Sequence, residues 1–130
     1  MTQHITGIPA VGIPVTDQER AMRFYTQTLG MEKRLDVPLE RFGGRWVTVA
    51  PIGSATSIAL IPAHDGLSAG VETGIRLSTA DAAALHADLH DRGVDVGELL
   101  RWDRVPPMFA FCDPDGNGLE ITQEVASQLY

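Results

Sequence analysis

Val15-Thr16-Asp17-Gln18-Glu19-Arg20-Ala21-Met22-Arg23-Phe24-Tyr25-Thr26-Gln27-Thr28-Leu29-Gly30-Met31 carries the most informative local signals in this 130-residue chain. Thr16-Asp17-Gln18-Glu19 fits a capping box, in which the Thr16 hydroxyl and the Glu19 carboxylate satisfy helix-end amides. Ala21, Phe24, Tyr25 and Leu29 follow at helical spacing, and Gly30 supplies the stop. Immediately upstream, Val11–Val15 alternates around apolar positions as a strand does. Downstream lie three further strand-like runs, Arg34–Val37, Arg45–Ala50 and Ser57–Ile61. The segment from Pro62 to Gly70 is a linker by composition, with Pro, Asp, Ser and Gly.

The order then recurs. Thr73–Leu77 reads as a strand, and Ser78-Thr79-Ala80-Asp81 offers a second cap with an acidic third helical position. Ala82, Leu85 and Leu89 form an apolar stripe, with Gly93 as its stop. Strand-like runs follow near Val94–Leu100, Met108–Phe111 and Leu119–Thr122. One helix and four strands, twice, at an offset of about 62–64 residues, constitute an internal repeat. Helices on one face of largely antiparallel strands make the fold α+β.

The residues now carry a family resemblance. The run from Val15 to Met31 resembles the first βα unit of the vicinal-oxygen-chelate superfamily, which includes glyoxalase I, bleomycin-resistance proteins, fosfomycin-resistance proteins and extradiol dioxygenases. The run Phe111-Cys112-Asp113-Pro114-Asp115-Gly116-Asn117-Gly118-Leu119-Glu120-Ile121 is similar to its closing hairpin. The resemblance implies two βαβββ modules in tandem, about 8–62 and about 71–124, in a single domain spanning 1–130. Their curled mixed sheets would form a cleft, and single-domain members usually pair as homodimers. It does not fix a reaction, because the superfamily hosts many chemistries.

The resemblance also implies a ligand set for a divalent metal, one residue on the first strand of each module and a Glu on the last strand. Matched to this sequence, the last ligand falls on Glu120 and the first on Ala10. A fourth falls near Ala59, and the remaining one on Gly74 or, with a two-residue slip, Glu72. Residues 8–16 and 57–62 contain no His, Asp, Glu, Gln or Cys at any register. Two carboxylates, Glu72 and Glu120, suit at most a weakly held Mg²⁺ or Mn²⁺. The expectation is therefore no cofactor and no metal ligands, with a weak divalent ion as the alternative.

Two other metal patterns are weaker than they look. His86 and His90, four apart on the second helix, read as a solvated flank pair. Asp113-x-Asp115-x-Asn117-Gly118-x₅-Glu124 matches a calcium loop letter by letter. Its flanks alternate as strands and Pro114 sits inside it, so it reads as a hairpin turn.

Alternation places Glu72, Gly74, Arg76 and Ser78 on one face of their strand and Thr73, Ile75 and Leu77 on the apolar face. Arg76 thus faces the cleft near Glu120, either to fork onto a ligand carboxylate or phosphate or to pair with Glu120 or Glu72. Trp46 and Trp102 are the large rigid surfaces suited to stacking a flat ligand. Arg76, Glu120, Trp46 and Trp102 are therefore the candidate ligand-binding residues, and Glu120 and Glu72 the candidate catalytic pair.

Composition narrows the partners. Ten basic against 17 acidic residues give −7, with no basic cluster to neutralise phosphates, so nucleic acid is not an expected partner. The acidic balance aids solubility or favours cationic ligands. Cys112 is the only cysteine, which excludes an intramolecular disulfide framework. Met1-Thr2-Gln3-His4 leads into no signal-peptide core, and no 18-residue apolar run exists, so a cytoplasmic protein with no membrane contact is expected.

Two function classes survive. One is a metal-independent small-molecule binder of the bleomycin-resistance type, sequestering a drug or metabolite in a dimer cleft. The other is a lyase, epimerase or dioxygenase of the same superfamily, using Glu120 with an unorthodox metal or a metal-free acid–base pair.

Overall fold

Strand alternation feeding a capped helix builds the first part of the chain. The computed structural model describes residues 4–125, so Met1-Thr2-Gln3 of the opening segment lies outside it. The chain divides into two compact units, Met1–Ala69 and Gly70–Tyr130.

The first unit runs β1 (Ala10–Val15), α1 (Gln18–Arg23), β2 (Glu32–Leu39), β3 (Gly44–Ala50) and β4 (Ser57–Pro62). Its sheet order is β1-β4-β3-β2, with β1 parallel to β4 and the other neighbours antiparallel. Ile13, Val15, Val47, Val49, Ile58 and Leu60 are buried together with Ala21 and Tyr25 from the helical segment. The helix starts one residue later than the capping-box reading. Asp17, not Thr16, is the N-cap, accepting from the Arg20 amide at 3.1 Å. A short carboxylate directly before the first turn meets that amide, whereas the Thr16 hydroxyl accepts from the Arg20 guanidinium at 3.2 Å. Past Arg23 the helix widens into a π-turn over Phe24–Thr28, with Leu29 N–H donating to Phe24 O at 3.1 Å, and Gly30 ends it at φ +77°.

Gln18 ties this helix to its sheet. Its Nε2 donates to the carbonyls of Arg45 at 2.6 Å and Leu60 at 2.8 Å, and its Oε1 accepts from Arg45 N–H at 3.1 Å.

The second unit repeats the plan: β5 (Glu72–Thr79), α2 (Ala82–Asp91), β6 (Asp95–Val96), β7 (Met108–Cys112) and β8 (Gly118–Gln123). Its order is β5-β8-β7-β6, again with the first and last strands parallel. Phe109, Phe111, Leu119 and Ile121 form the core with Ala82 and Leu89. Asp81 is the N-cap rather than a third helical residue, accepting from Ala84 N–H at 3.0 Å. The strand expected over Val94–Leu100 shrinks to two residues and an isolated bridge from Leu100 to Met108. Gly97 follows Val96 at the end of the short strand, and the segment from Gly97 to Leu99 is irregular. The fold is α+β with two tandem βαβββ modules, as the alternation and the repeat imply.

Candidate functional site

The same plan in both units exposes a contrast between their helix-free sheet faces. In the first unit that face pairs Gly12 with Ala59 and Pro14 with Ile61. In the second, the corresponding pairs are Arg76 with Glu120 and Ser78 with Thr122. The first two pairs are apolar, whereas the second two carry a cation, an anion and two hydroxyls. At Gly12 an added Cβ would lie 2.6 Å from the Ile61 Cδ1, so a side chain at this exposed position would have to displace the tip of Ile61.

The polar face of the second unit holds a cavity of about 400 Å³ lined by Gly74, Arg76, Leu77, Ser78 and Thr122. A small-molecule site of this size falls in the ordinary range. Arg76 Nε lies 3.0 Å from Glu120 Oε2, and both side chains remain about half exposed. Thr122 is 3% exposed, and its hydroxyl has no hydrogen-bond partner among the described residues. Gly74 lines the cavity at φ +73°, and a Cβ at this position would meet nothing within 4 Å. It lies inside an irregularity where the β5–β8 register shifts between Glu72 and Arg76. A glycine tolerates that left-handed backbone and keeps the space open.

The other candidates fall elsewhere. Glu72 pairs with Gly118, and its carboxylate stands over that glycine, 2.5 Å from where a Cβ would be. Through Gly118 it belongs to a cross-strand row with Cys112 and Asp95, whereas Glu120 is opposite Arg76. Burial pushes the Cys112 thiol up from its usual pKa, with the carboxylates of Asp95, Glu72 and Asp113 adding to the effect. Trp46 is half-buried beside Val37 in the first unit. Trp102 is 59% exposed in the loop before β7.

His86 departs from the solvated-pair reading. Its ring meets Phe109 edge-on at 4.9 Å and its Nε2 lies 2.8 Å from Gly97 O, while His90 stays exposed. The Asp113–Asn117 loop is the expected turn. Asp113 Oδ1 accepts from the Asp115 and Asn117 amides at 2.9 Å each, and Asn117 Nδ2 donates to Asp113 Oδ2 at 3.0 Å. Asn117 Oδ1 accepts from Gly70 and Val71 N–H at 2.8 and 3.0 Å. Oxygens engaged in this way hold backbone, not calcium.

Divalent-metal chemistry does not fit the donor atoms. Ala10 and Ala59 in the first unit and Gly74 in the second have no side-chain oxygen, nitrogen or sulfur, and Glu120 is bound to a guanidinium. Among the described residues no group of three or more His, Cys, Asp or Glu could hold a metal ion. The structure pairs Arg76 with Glu120, one of the alternatives the sequence leaves open, and adds Thr122 to the residues that line the cavity. A threonine in an alternating strand carries no signal of whether its hydroxyl finds a partner. Among the described residues no helix is long and apolar enough to cross a membrane.

Comparison with known proteins places these features among relatives. Residues 4–121 match the family model described as the Glyoxalase/Bleomycin resistance protein/Dioxygenase superfamily. No curated protein matches the sequence. Among solved structures, TnmS3, an antibiotic binding protein from Streptomyces sp. CB03234, is 33% identical with a TM-score of 0.84, over 95% of this chain and 100% of its own. A superfamily member from Sphaerobacter thermophilus DSM 20745 is 36% identical with a TM-score of 0.86, over 94% of this chain and 100% of its own. A glyoxalase/bleomycin resistance protein from Streptomyces sp. CB03234 is 35% identical with a TM-score of 0.78, over 90% of this chain and 100% of its own.

Proposed function

The chain belongs to the Glyoxalase/Bleomycin resistance protein/Dioxygenase superfamily, and from that premise we propose that it is a metal-independent small-molecule-binding protein that sequesters a drug or metabolite. The observation that carries this reading is the polar face of the second unit. There a cavity of about 400 Å³ is lined by Arg76, Ser78 and Thr122, while of the positions the family pattern assigns to metal ligands Ala10, Ala59 and Gly74 carry no donor side chain, Glu72, the alternative to Gly74, stands over Gly118, and Glu120 is paired with Arg76. The similarity to a protein described as antibiotic binding supports the same reading. The enzymatic alternative, a lyase, epimerase or dioxygenase, requires Glu120 as a base or ligand together with Glu72. Glu120 is paired with Arg76 and Glu72 stands over Gly118, an arrangement that favours binding over acid–base chemistry.

The working form is a homodimer in the cytoplasm, with no nucleic-acid or membrane partner. Leu35 and Val37 stand 50% and 43% exposed on β2, an edge strand, and a second copy would cover such surface. Trp46 and Trp102 belong to the reading as stacking surfaces for a flat ligand.

Equilibrium dialysis against antibiotics of cationic glycopeptide, anionic β-lactam and neutral polyketide classes tests the proposal, with Arg76→Ala as the comparison. Saturable binding weakened by Arg76→Ala supports it. Binding that needs added Mn²⁺, Ni²⁺ or Zn²⁺, or turnover of any bound compound, overturns it.

A further inference from the structure

We propose that Gly74 sets the breadth of guest that the second-unit cavity admits, with the widest part of the guest lying over the Gly74 Cα; the inference rests on the small-molecule-binding role above. Four glycines lie within strands among the described residues: Gly12, Gly44, Gly74 and Gly118. At three of them a neighbouring side chain stands where a Cβ would go. That Cβ would lie 2.6 Å from Ile61 Cδ1 at Gly12, 2.8 Å from Gln18 Oε1 at Gly44 and 2.5 Å from Glu72 Oε2 at Gly118. Gly74 differs. A Cβ there would meet nothing within 4 Å among the described residues, and Gly74 is exposed on the wall of the cavity. Its space is left to whatever enters from solvent.

Local pairing holds that space open. β5 and β8 align at Glu72 with Gly118 and next at Arg76 with Glu120, so Thr73, Gly74 and Ile75 stand against Leu119 alone. Thr73 Oγ1 donates to Gly118 O at 2.8 Å and accepts from Ile75 N–H at 3.1 Å, which fixes the bulge on either side of Gly74. Beyond the bulge, Arg76 is tied to Glu120 through Nε at 3.0 Å. Backbone shape and empty space are separable requirements at Gly74. Its φ of +73° favours glycine, but asparagine also adopts the left-handed region. An asparagine therefore keeps the bulge and fills the space.

Benzamide and naphthamide test this, presenting the same amide on one ring and on two fused rings. Amide chemical shifts of Arg76, Leu77 and Ser78 report each titration of the full chain. We expect both to bind the wild type, naphthamide more tightly by at least about threefold, because its second ring covers the open space. Gly74→Asn should weaken naphthamide at least about tenfold and benzamide less than about threefold. Gly53→Asn is the control: Gly53 has φ +85° and free space around its Cβ position, but it does not line the cavity, and its replacement should change neither affinity. A second measurement needs no variant. In the wild type, nuclear Overhauser contacts should join the second ring of naphthamide to the Gly74 α-protons. Equal weakening of the two amides by Gly74→Asn, unchanged naphthamide affinity, an equal loss in Gly53→Asn, or bound naphthamide without contact to the Gly74 α-protons overturns the size-selecting role and leaves small-molecule binding standing. No shift with either amide in the wild type overturns both the inference and the binding role of this face.

Discussion

Arg76 and Glu120 face one another from adjacent parallel strands, with Nε and Oε2 at 3.0 Å. The pair occupies the sheet position that in the first unit belongs to Gly12 and Ala59. Polarity therefore enters one of two repeated frames, at the strand where the superfamily resemblance places a metal ligand. A carboxylate held by a guanidinium is a poor Lewis base, since an incoming divalent ion must displace a cation already in place.

Glu120→Gln tests this directly. We expect no thermal shift with millimolar Mn²⁺, Ni²⁺ or Zn²⁺ in either the wild type or the variant. The pair is about half exposed, so its loss should change stability by no more than about 1 kcal/mol. Ligand affinity should fall by up to about 2–3 kcal/mol if a charged hydrogen bond to the guest is lost. A saturable metal shift in the wild type that vanishes in Glu120→Gln would restore the metalloenzyme reading. A shift that survives the change would place the metal elsewhere.

Asn117→Ala should be the more damaging change, although it lies in a turn. Asn117 is fully buried, receives the Gly70 and Val71 amides, and donates to Asp113. Truncation leaves these groups without their partner in a desolvated setting, at a cost of about 2–4 kcal/mol. Urea unfolding reads the loss. Millimolar Ca²⁺ should not shift the wild-type midpoint, because the Asp113 and Asn117 oxygens already hold the turn. A Ca²⁺-dependent rise would revive the calcium-loop pattern.

Gln18→Ala probes the corresponding tie in the first unit. Its amide serves two carbonyls and one N–H on β3 and β4, so we expect a loss of about 1–3 kcal/mol in urea unfolding. Gln18→Glu should destabilise as well, because a carboxylate replaces the donor facing the Arg45 and Leu60 carbonyls. A neutral outcome for both would show that water replaces the side chain.

How far the sequence discloses this molecule differs between frame and site. Alternation revealed seven strands near their true positions because apolar periodicity is local, as in Ile13 and Val15 or Phe109 and Phe111. Caps were harder. Thr16 and Asp17, or Ser78 and Asp81, are all good capping residues, and only backbone geometry decides that Asp17 and Asp81 take the role. The Gln18 tie joins residues 27 and 42 positions apart, a separation that no local pattern signals. Arg76 and Glu120 were legible because strand parity and the module repeat together place them opposite. Thr122 was not, since a missing hydrogen-bond partner is a property of the packed interior. His86 was misread for a related reason: one residue off the Leu85–Leu89 stripe, it still reaches Phe109.

Pairing of two copies is a prediction about mass. Sedimentation at micromolar concentration should give about twice the 14.0 kDa of one chain. A monomer at that concentration would remove the homodimer from the proposed function and leave Leu35 and Val37 as ordinary exposed apolar side chains.

Cys112 makes stability depend on pH at the alkaline end. Burial first, and then the carboxylates of Asp95, Glu72 and Asp113, raise its folded pKa above the ordinary thiol value of 9.0. Between that value and the raised one, the unfolded chain releases a proton that the folded chain keeps. The unfolded state then binds fewer protons, so stability falls as pH rises. This contribution is fully present below about pH 9 and is lost as pH climbs through the folded pKa. Urea midpoints at about pH 8 and about pH 10, for the wild type and Cys112→Ala, isolate the thiol from lysine and tyrosine titrations. We expect the wild type to lose more stability between the two conditions than the variant does. Iodoacetamide should also alkylate the folded protein more slowly at about pH 8 than it alkylates the urea-unfolded chain, because the thiolate is the nucleophile. Equal pH slopes in wild type and variant would mean that the thiol titrates alike in both states.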